Sequence, residues 1–436
     1  MVSSGPFLAS LLGFRRSNEV PVDPVDPVEM LPHHLLQQHP NLGLLVGVAQ
    51  AFLQAPMHLL NKTCCCCFYR AYTQQNSPVA ELTSLQTKDH ATLSLLVRGR
   101  RASNPPLLVV HGGPGASSFP SRLTSAFSRL EQHFTVVYYD QRSALKSGYQ
   151  NIQRQNNHTP HTKSMFLNSL TIPQHVTDLI CVAEHICHQF NVDQIHLLGG
   201  SWGTILVQLA ARDRPELFKS ITLRGVVVDT PKSEQLSTRY VLTQQRMLGA
   251  KHYSEEDIGK HQRRFTSPLR RRHTFAKLLE QRTQLAAVGG VAYRTAQKVK
   301  QDKVPGYEWT SKALLMKNAL LCEELTLKEI YYGVFNGHLT LKALWPSLKN
   351  YVSLHHVKEL KVSTVLVLQG RHDYCTCSSL VAKWFDTLKV VGGDEDGGGG
   401  DGKKKLVWFE NSGHAPHIEE PDKFVQCMVT HVLLNG

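Results

Sequence analysis

The chain has 436 residues, 42% of them hydrophobic and 19% charged, with a formal net charge of +13. That length and balance suit one large globular domain with extras and do not require two full domains. The positive charge favours anionic surfaces without informing the fold. Its densest runs, Arg263-Arg264 and Arg270-Arg271-Arg272, come with no zinc-finger spacing, basic zipper or aromatic-basic pattern, so no nucleic-acid partner is expected. They read as a solvated helical face, with an anionic lipid or acidic partner as the alternative.

Residues 1–80 read as an N-terminal extension. Met1–Val20 carries Arg15 and Arg16 and no acid before Glu19. Its apolar part, Phe7–Phe14, is short and follows no basic residue, which argues against a secretory signal and leaves a mitochondrial presequence open. The Pro-Val-Asp repeats over 21–29 form an extended linker. No Asp, Glu, Lys or Arg occurs from Asn41 to Asn61, but Gln50, Gln54, Pro56 and His58 make a full membrane span marginal. Lys62 and the consecutive Cys64–Cys67 follow. An apolar segment beside acylatable cysteines combines two weak anchors, so residues 42–67 are a candidate membrane-associating segment. The plainer alternative is a helix packed on the catalytic domain. The other six of the ten cysteines show neither a disulfide framework nor paired metal spacing. A reducing, cytoplasmic setting is expected, with a mitochondrial or membrane-associated one as the alternative.

From about residue 90, short β-branched runs alternate with helical patterns. Strands are expected at Leu107–Val110, Phe134–Tyr139, Gln194–Leu198, Ser220–Val228, Thr364–Leu368 and Leu406–Phe409. Several are continuously apolar, as parallel strands covered on both faces are. Between two of them Pro173 can open a helix whose one face carries Val176, Leu179, Ile180, Ala183, Ile186 and Phe190. The rhythm predicts an α/β fold, a mostly parallel sheet wrapped by helices, with its site beyond the carboxyl ends of the strands.

The residues at those ends carry chemistry. Gly199-Gly200-Ser201-Trp202-Gly203 lies directly after an expected strand and before the helical run Thr204–Arg212. A nucleophile on so tight a turn needs small neighbours, and the helix start favours developing negative charge. After the strand ending at Val110 comes His111-Gly112-Gly113-Pro114-Gly115. Its glycines let backbone N–H groups face a site, so Gly113 and Trp202 are the expected oxyanion-hole donors. The alternative is a turn without chemistry. A serine nucleophile needs a base, the base needs an orienting carboxylate, and in this arrangement they follow in the order Ser, acid, His. Asp373 and His414 each sit just past a strand in that order. Asp229 is a second candidate acid; His372 and His417 compete as bases but lack a preceding loop glycine. Between Asp229 and about Lys361 lies a helical, basic insertion, so the core is expected at 81–228 and 363–436, with a helical cap at 229–362. Val391–Lys405, rich in glycine and aspartate, is expected to be a disordered surface loop.

Together these residues resemble the proline iminopeptidase family of α/β-hydrolases over about residues 85–436. The likeness rests on His111–Gly115, Asp140-Gln141-Arg142, Gly199–Thr204, Leu223-Arg224-Gly225, Gly370–Asp373 and Gly413-His414. It implies an α/β-hydrolase fold and a serine aminopeptidase that releases N-terminal residues, proline preferred, with Ser201 as nucleophile, Asp373 as acid and His414 as base. The chain departs from the family at Ser143–Ser147, where a glycine-containing run is usual. The family's acidic cap residues hold the substrate's free amine; Glu308, Glu323 and Glu324 are candidates for that role, with surface charge as the alternative for each. Neither a metal nor an organic cofactor is implied, and the expected partner is a small peptide or ester substrate. A carboxylesterase or lipase would use the same triad, and a non-catalytic binding protein could share the fold.

Overall fold

The computed structural model of the chain describes residues 80–99, 103–156, 160–249, 256, 275–303, 317–392 and 402–434. The expected N-terminal extension, the 42–67 segment with Cys64–Cys67, the arginine runs at 263–272 and Glu308 lie outside them. Almost all the described residues belong to one compact unit, 66–308 with 318–436; the other unit, 1–65 with 309–317, falls outside the described residues apart from Lys317.

Ten strands are described: β1 Glu81–Gln86, β2 Thr92–Arg98, β3 Pro106–Val110, β4 Thr135–Asp140, β5 Ile195–Gly200, β6 Phe218–Arg224, β7 Glu359–Lys361, β8 Thr364–Gly370, β9 Lys389–Val391 and β10 Lys403–Phe409. Eight form one sheet in the order β1-β2-β4-β3-β5-β6-β8-β10, and β7 pairs with β9. The β1–β2 and β2–β4 pairs are antiparallel, and every later pair in the large sheet is parallel. The carboxyl ends of β3, β5, β6, β8 and β10 therefore open on one edge. Burial follows sequence: β3, β4, β5 and β8 are buried along their whole length, whereas the edge strand β1 alternates between half-buried and exposed.

The described helices are α1 Ser125–Leu130, α2 Leu145–Asn156, α3 Pro160–Asn168, α4 Ile172–Phe190, α5 Gly203–Asp213, α6 Thr230–Met247, α7 Phe275–Ala287, α8 Tyr293–Asp302, α9 Leu327–Leu348, α10 Ser353–His356, α11 Ser378–Thr387, α12 Pro416–Glu419 and α13 Pro421–Met428. Helix α4 is the one expected from Pro173: Thr171 caps it by accepting from the Gln174 N–H at 3.2 Å, and Val176, Leu179, Ala183 and Ile186 are buried. Helix α5, buried from Gly203 to Ala211, packs against both α4 and the sheet and is accordingly apolar on most sides. No described helix is long and apolar enough to cross a membrane.

Three expectations are corrected. The strand expected over Ser220–Val228 ends at Arg224, because Gly225 takes φ +60 and turns the chain despite the three valines that follow. Asp229, the second candidate acid, caps α6 instead: its carboxylate accepts from the Lys232 N–H at 2.9 Å. The glycine-rich segment is shorter than expected at both ends, since Val391 ends β9 and Lys403–Lys405 begin β10; residues 393–401 lie outside the described set.

Helix α5 meets β3 so closely that a Cβ on Gly203 would lie 2.3 Å from the Val110 carbonyl oxygen and 2.8 Å from that of His111. Both obstacles are backbone and cannot rotate away. Gly203→Ala is expected to cost about 3 kcal/mol or more, seen as a lower urea midpoint with an unchanged slope. A midpoint equal to that of the wild type would contradict this packing.

Candidate active site

Ser201 follows β5 with φ +53, a left-handed conformation that a non-glycine residue holds only under constraint. The constraint is visible on both sides. Its N–H donates to the Arg224 carbonyl at the end of β6 (2.8 Å), and its carbonyl accepts from the Thr204 N–H (2.9 Å) and hydroxyl (2.6 Å) at the start of α5. The Thr204 oxygen in turn accepts from the Val227 N–H at 3.1 Å. The serine is thus pinned between two strand ends and a helix N-terminus.

The next strand ends supply the other groups. His414, in the loop after β10, has Nδ1 2.9 Å from Asp373 Oδ2, which directs Nε2 away from the acid. Asp373, in the loop after β8, is buried. Its carboxylate also accepts from the Cys375 N–H (2.8 Å), the Thr376 N–H (3.0 Å), the Thr376 hydroxyl (2.7 Å) and the Gln369 amide (3.1 Å). Burial pushes this carboxyl up, but the His414 ring and those hydrogen bonds outweigh it and hold the pKa at about 2. Gly225 links the pair to the serine: it follows Arg224, and its absent side chain leaves room for the imidazole, which would lie 3.1 Å from an added Cβ.

The His111–Gly115 loop closes the remaining side, where a Cβ on Gly112 would lie 3.0 Å from that of Ser201. The loop is tied to the serine turn through Gln141. The Gln141 amide donates to the His111 carbonyl (2.9 Å), its oxygen accepts from the Trp202 indole (2.9 Å), and its backbone N–H donates to His111 Nε2 (3.1 Å). His111 Nδ1 then donates to the Gly112 carbonyl at 2.9 Å. Burial pushes His111 down to about 4, so the ring stays neutral and this tautomer is fixed by the Gln141 N–H.

Both the acid and base loops are braced by the helical insertion between β6 and β8. The His414 N–H donates to the Val291 carbonyl (2.7 Å), and Glu419 accepts from both the Gly413 N–H (2.7 Å) and the Tyr293 N–H (2.8 Å). On the acid loop, the Tyr374 N–H donates to the Gly290 carbonyl at 2.9 Å, and Arg282, paired with Glu234, reaches the Cys375 carbonyl. Arg224 donates to the His414 carbonyl at 3.2 Å; burial pushes its guanidinium down to about 10, with Asp373 opposing the shift.

The competing histidines have other partners. His372 packs on the Tyr293 ring, and His417 lies among Phe127 and Phe424. Of the carboxylates expected in the cap, Glu323 is exposed. Glu324 is nearly buried and paired with Arg122 at 2.8 Å, and it accepts from the Cys322 thiol at 3.1 Å. Gln141, Glu419 and Arg282 carried no assigned role in the sequence, and only Gln141, within Asp140-Gln141-Arg142, stood in a recognisable motif. No cluster of metal-ligating residues occurs among the described residues.

A profile described as the alpha/beta hydrolase fold matches residues 105–248. The chain is 27% identical over 344 residues to "Probable aminopeptidase YbaC" of Bacillus subtilis, covering 77% of this chain and 92% of that one. It is 32% identical over 135 residues to a proline iminopeptidase of Lactobacillus delbrueckii subsp. bulgaricus, covering 30% of this chain and 38% of that one. Among solved structures, VinJ superposes with a TM-score of 0.51 at 17% identity, over 81% of this chain and 98% of its own. The chain therefore has the α/β-hydrolase fold and, in sequence, resembles proline iminopeptidases and a related aminopeptidase.

Proposed function

We propose that the protein is a serine hydrolase that cleaves small amides through an acyl-enzyme, releasing N-terminal residues from peptides. One observation carries this reading: Ser201 sits in a left-handed turn at the mouth of α5, three strands along the sheet from a histidine oriented by a buried, ionised Asp373. Ser201 Oγ attacks the substrate carbonyl carbon as its proton passes to His414 Nε2. The oxygen of the tetrahedral intermediate takes its charge against the N–H groups of Gly113 and Trp202, each such donor being worth about 3 kcal/mol. Collapse breaks the bond to the leaving amine, which receives the proton from His414. Water, deprotonated by the same ring, then displaces Ser201 from the acyl group. The helical insertion over 229–362 serves as the cap that shapes the acyl pocket. The N-terminal segment 42–67 is the candidate membrane-associating element.

The aminopeptidase reading is supported by the likeness to enzymes of that name. A second reading, an esterase with the same residues, is favoured by one specific observation. The Glu324 carboxylate already has Arg122 and Cys322 as partners, and Glu323 is at the surface. An amine anchor would have to come from elsewhere, such as Glu308.

Three results are expected. Prolyl and other aminoacyl fluorogenic amides should be hydrolysed, and their N-acetylated counterparts should not, with Ser201→Ala as the blank. Indifference to the free amine, or turnover of esters alone, would replace the peptidase reading with the esterase. Asp373→Asn should lower kcat by about 10⁴-fold, because His414 would lose the partner that fixes its tautomer; a loss under tenfold would remove Asp373 from its role. Stability gives an independent check. A carboxylate depressed from 3.8 to about 2 adds stability above pH 4 that disappears as the pH falls through 2. Between pH 5 and pH 2 the wild type should lose about 2 kcal/mol more unfolding free energy than Asp373→Asn. Parallel curves would contradict it.

A further inference from the structure

Among the buried polar side chains outside the triad, Gln141 stands apart, because each end of its amide is attached to a different half of the candidate oxyanion hole. It lies after β4, one strand beyond β3 and two beyond β5, and is 1% exposed. Its Nε2–H donates to the carbonyl of His111, the residue that begins the loop carrying Gly113, at 2.9 Å. Its Oε1 accepts from the indole N–H of Trp202, the other expected donor, at 2.9 Å. The backbone of the same residue fixes the His111 ring at 3.1 Å, so Gln141 holds the loop by two separate bonds. Trp202 is only 2% exposed and its ring meets His175 edge-on at 5.9 Å, so the indole has a second fixed contact but no other described hydrogen-bond acceptor.

We propose that Gln141 is the positioning residue of the oxyanion hole: its amide sets the separation between the Gly113 and Trp202 N–H groups by bridging the His111 carbonyl and the Trp202 indole. The inference rests on the serine-hydrolase reading above and assigns Gln141 no contact with substrate. An amide is uncharged and both donates and accepts in one plane from the two branches of a single carbon. A carboxylate would present an oxygen to the His111 carbonyl and repel it. A hydrocarbon would leave a buried indole N–H and a buried carbonyl without partners. A displacement of about 1 Å in such donors can cost about 10²-fold in rate. Because the donors act on the tetrahedral oxyanion more than on the ground-state carbonyl, the loss should fall on kcat and spare KM.

The test compares wild type, Gln141→Met and Gln141→Glu with p-nitrophenyl butyrate as substrate and phenylethaneboronic acid as the tetrahedral mimic. Gln141→Met should lower kcat by 30- to 100-fold, leave KM within about threefold, and weaken the boronate by a factor close to the loss in kcat. Gln141→Glu should lose more activity at pH 8 than at pH 6, since only the protonated carboxyl can donate to His111; the ratio of its kcat to the wild-type value should fall about tenfold from pH 6 to pH 8. A merely structural role would leave this ratio nearly flat with pH. Should Gln141→Met fail to fold, the pH ratio of Gln141→Glu decides alone. A boronate affinity and kcat within threefold of wild type, or a flat pH ratio, would overturn the role of Gln141 while leaving the hydrolase reading intact. A wild type that neither turns over the ester nor binds the boronate would overturn both.

Discussion

The backbone of Ser201 is held at φ +53, and most of the site is arranged around keeping it there. A serine in that conformation costs of order 1–3 kcal/mol against a relaxed one, so it persists only where neighbouring structure over-determines it. Here the restraint has three parts: the Ser201 N–H is engaged by the end of β6, its carbonyl by the first turn of α5, and α5 itself lies against β3 at a distance only Gly203 permits. The serine turn and the loops after β3, β6, β8 and β10 all lie on the same edge of the sheet, because those strands run parallel.

The loops after β8 and β10 are tied to the helical insertion by hydrogen bonds. Val291 and Tyr293, at the entrance to α8, grip the histidine loop directly and through Glu419; Gly290 and Arg282 grip the acid loop. The aspartate in turn has each carboxylate oxygen engaged, which keeps it ionised although burial opposes that state. The helical insertion is thus bonded to both the Asp373 loop and the His414 loop. Displacing the insertion is expected to loosen the His414–Asp373 geometry.

Much of this was legible in the sequence, and the reasons are physical. Continuous apolar runs marked β3, β4, β5 and β8 because both faces of those strands are covered, and glycines on either side of Ser201 announced a close crossing. In the large sheet β1 and β2 were missed: Glu81–Gln86 is an edge strand whose half-exposed residues give no apolar run, and β2, though buried throughout, breaks its apolar run with Thr92, Ser94 and Arg98. The overrun of β6 came from Val226, Val227 and Val228, whose β-branching favours strands, while Gly225 ended the strand four residues before Asp229. The Asp229-Thr-Pro-Lys pattern was itself a helix-start signal, and it describes what Asp229 does. The contacts made by Gln141, Glu419 and Arg282 were not legible for a different reason. Most of their partners lie 30 to 126 residues away, and a single polar side chain gives no periodic signal of a contact between distant parts of the chain.

The central claim is that Ser201 is a nucleophile activated by His414 and Asp373. Its most direct test is to treat the full chain with a fluorophosphonate and locate the adduct by peptide mass spectrometry. The account predicts stoichiometric modification on Ser201 alone, absent in Ser201→Ala and slowed at least about 10³-fold in His414→Ala. A protein that stays unmodified, or that is labelled at another residue, or whose labelling rate ignores His414, would contradict it.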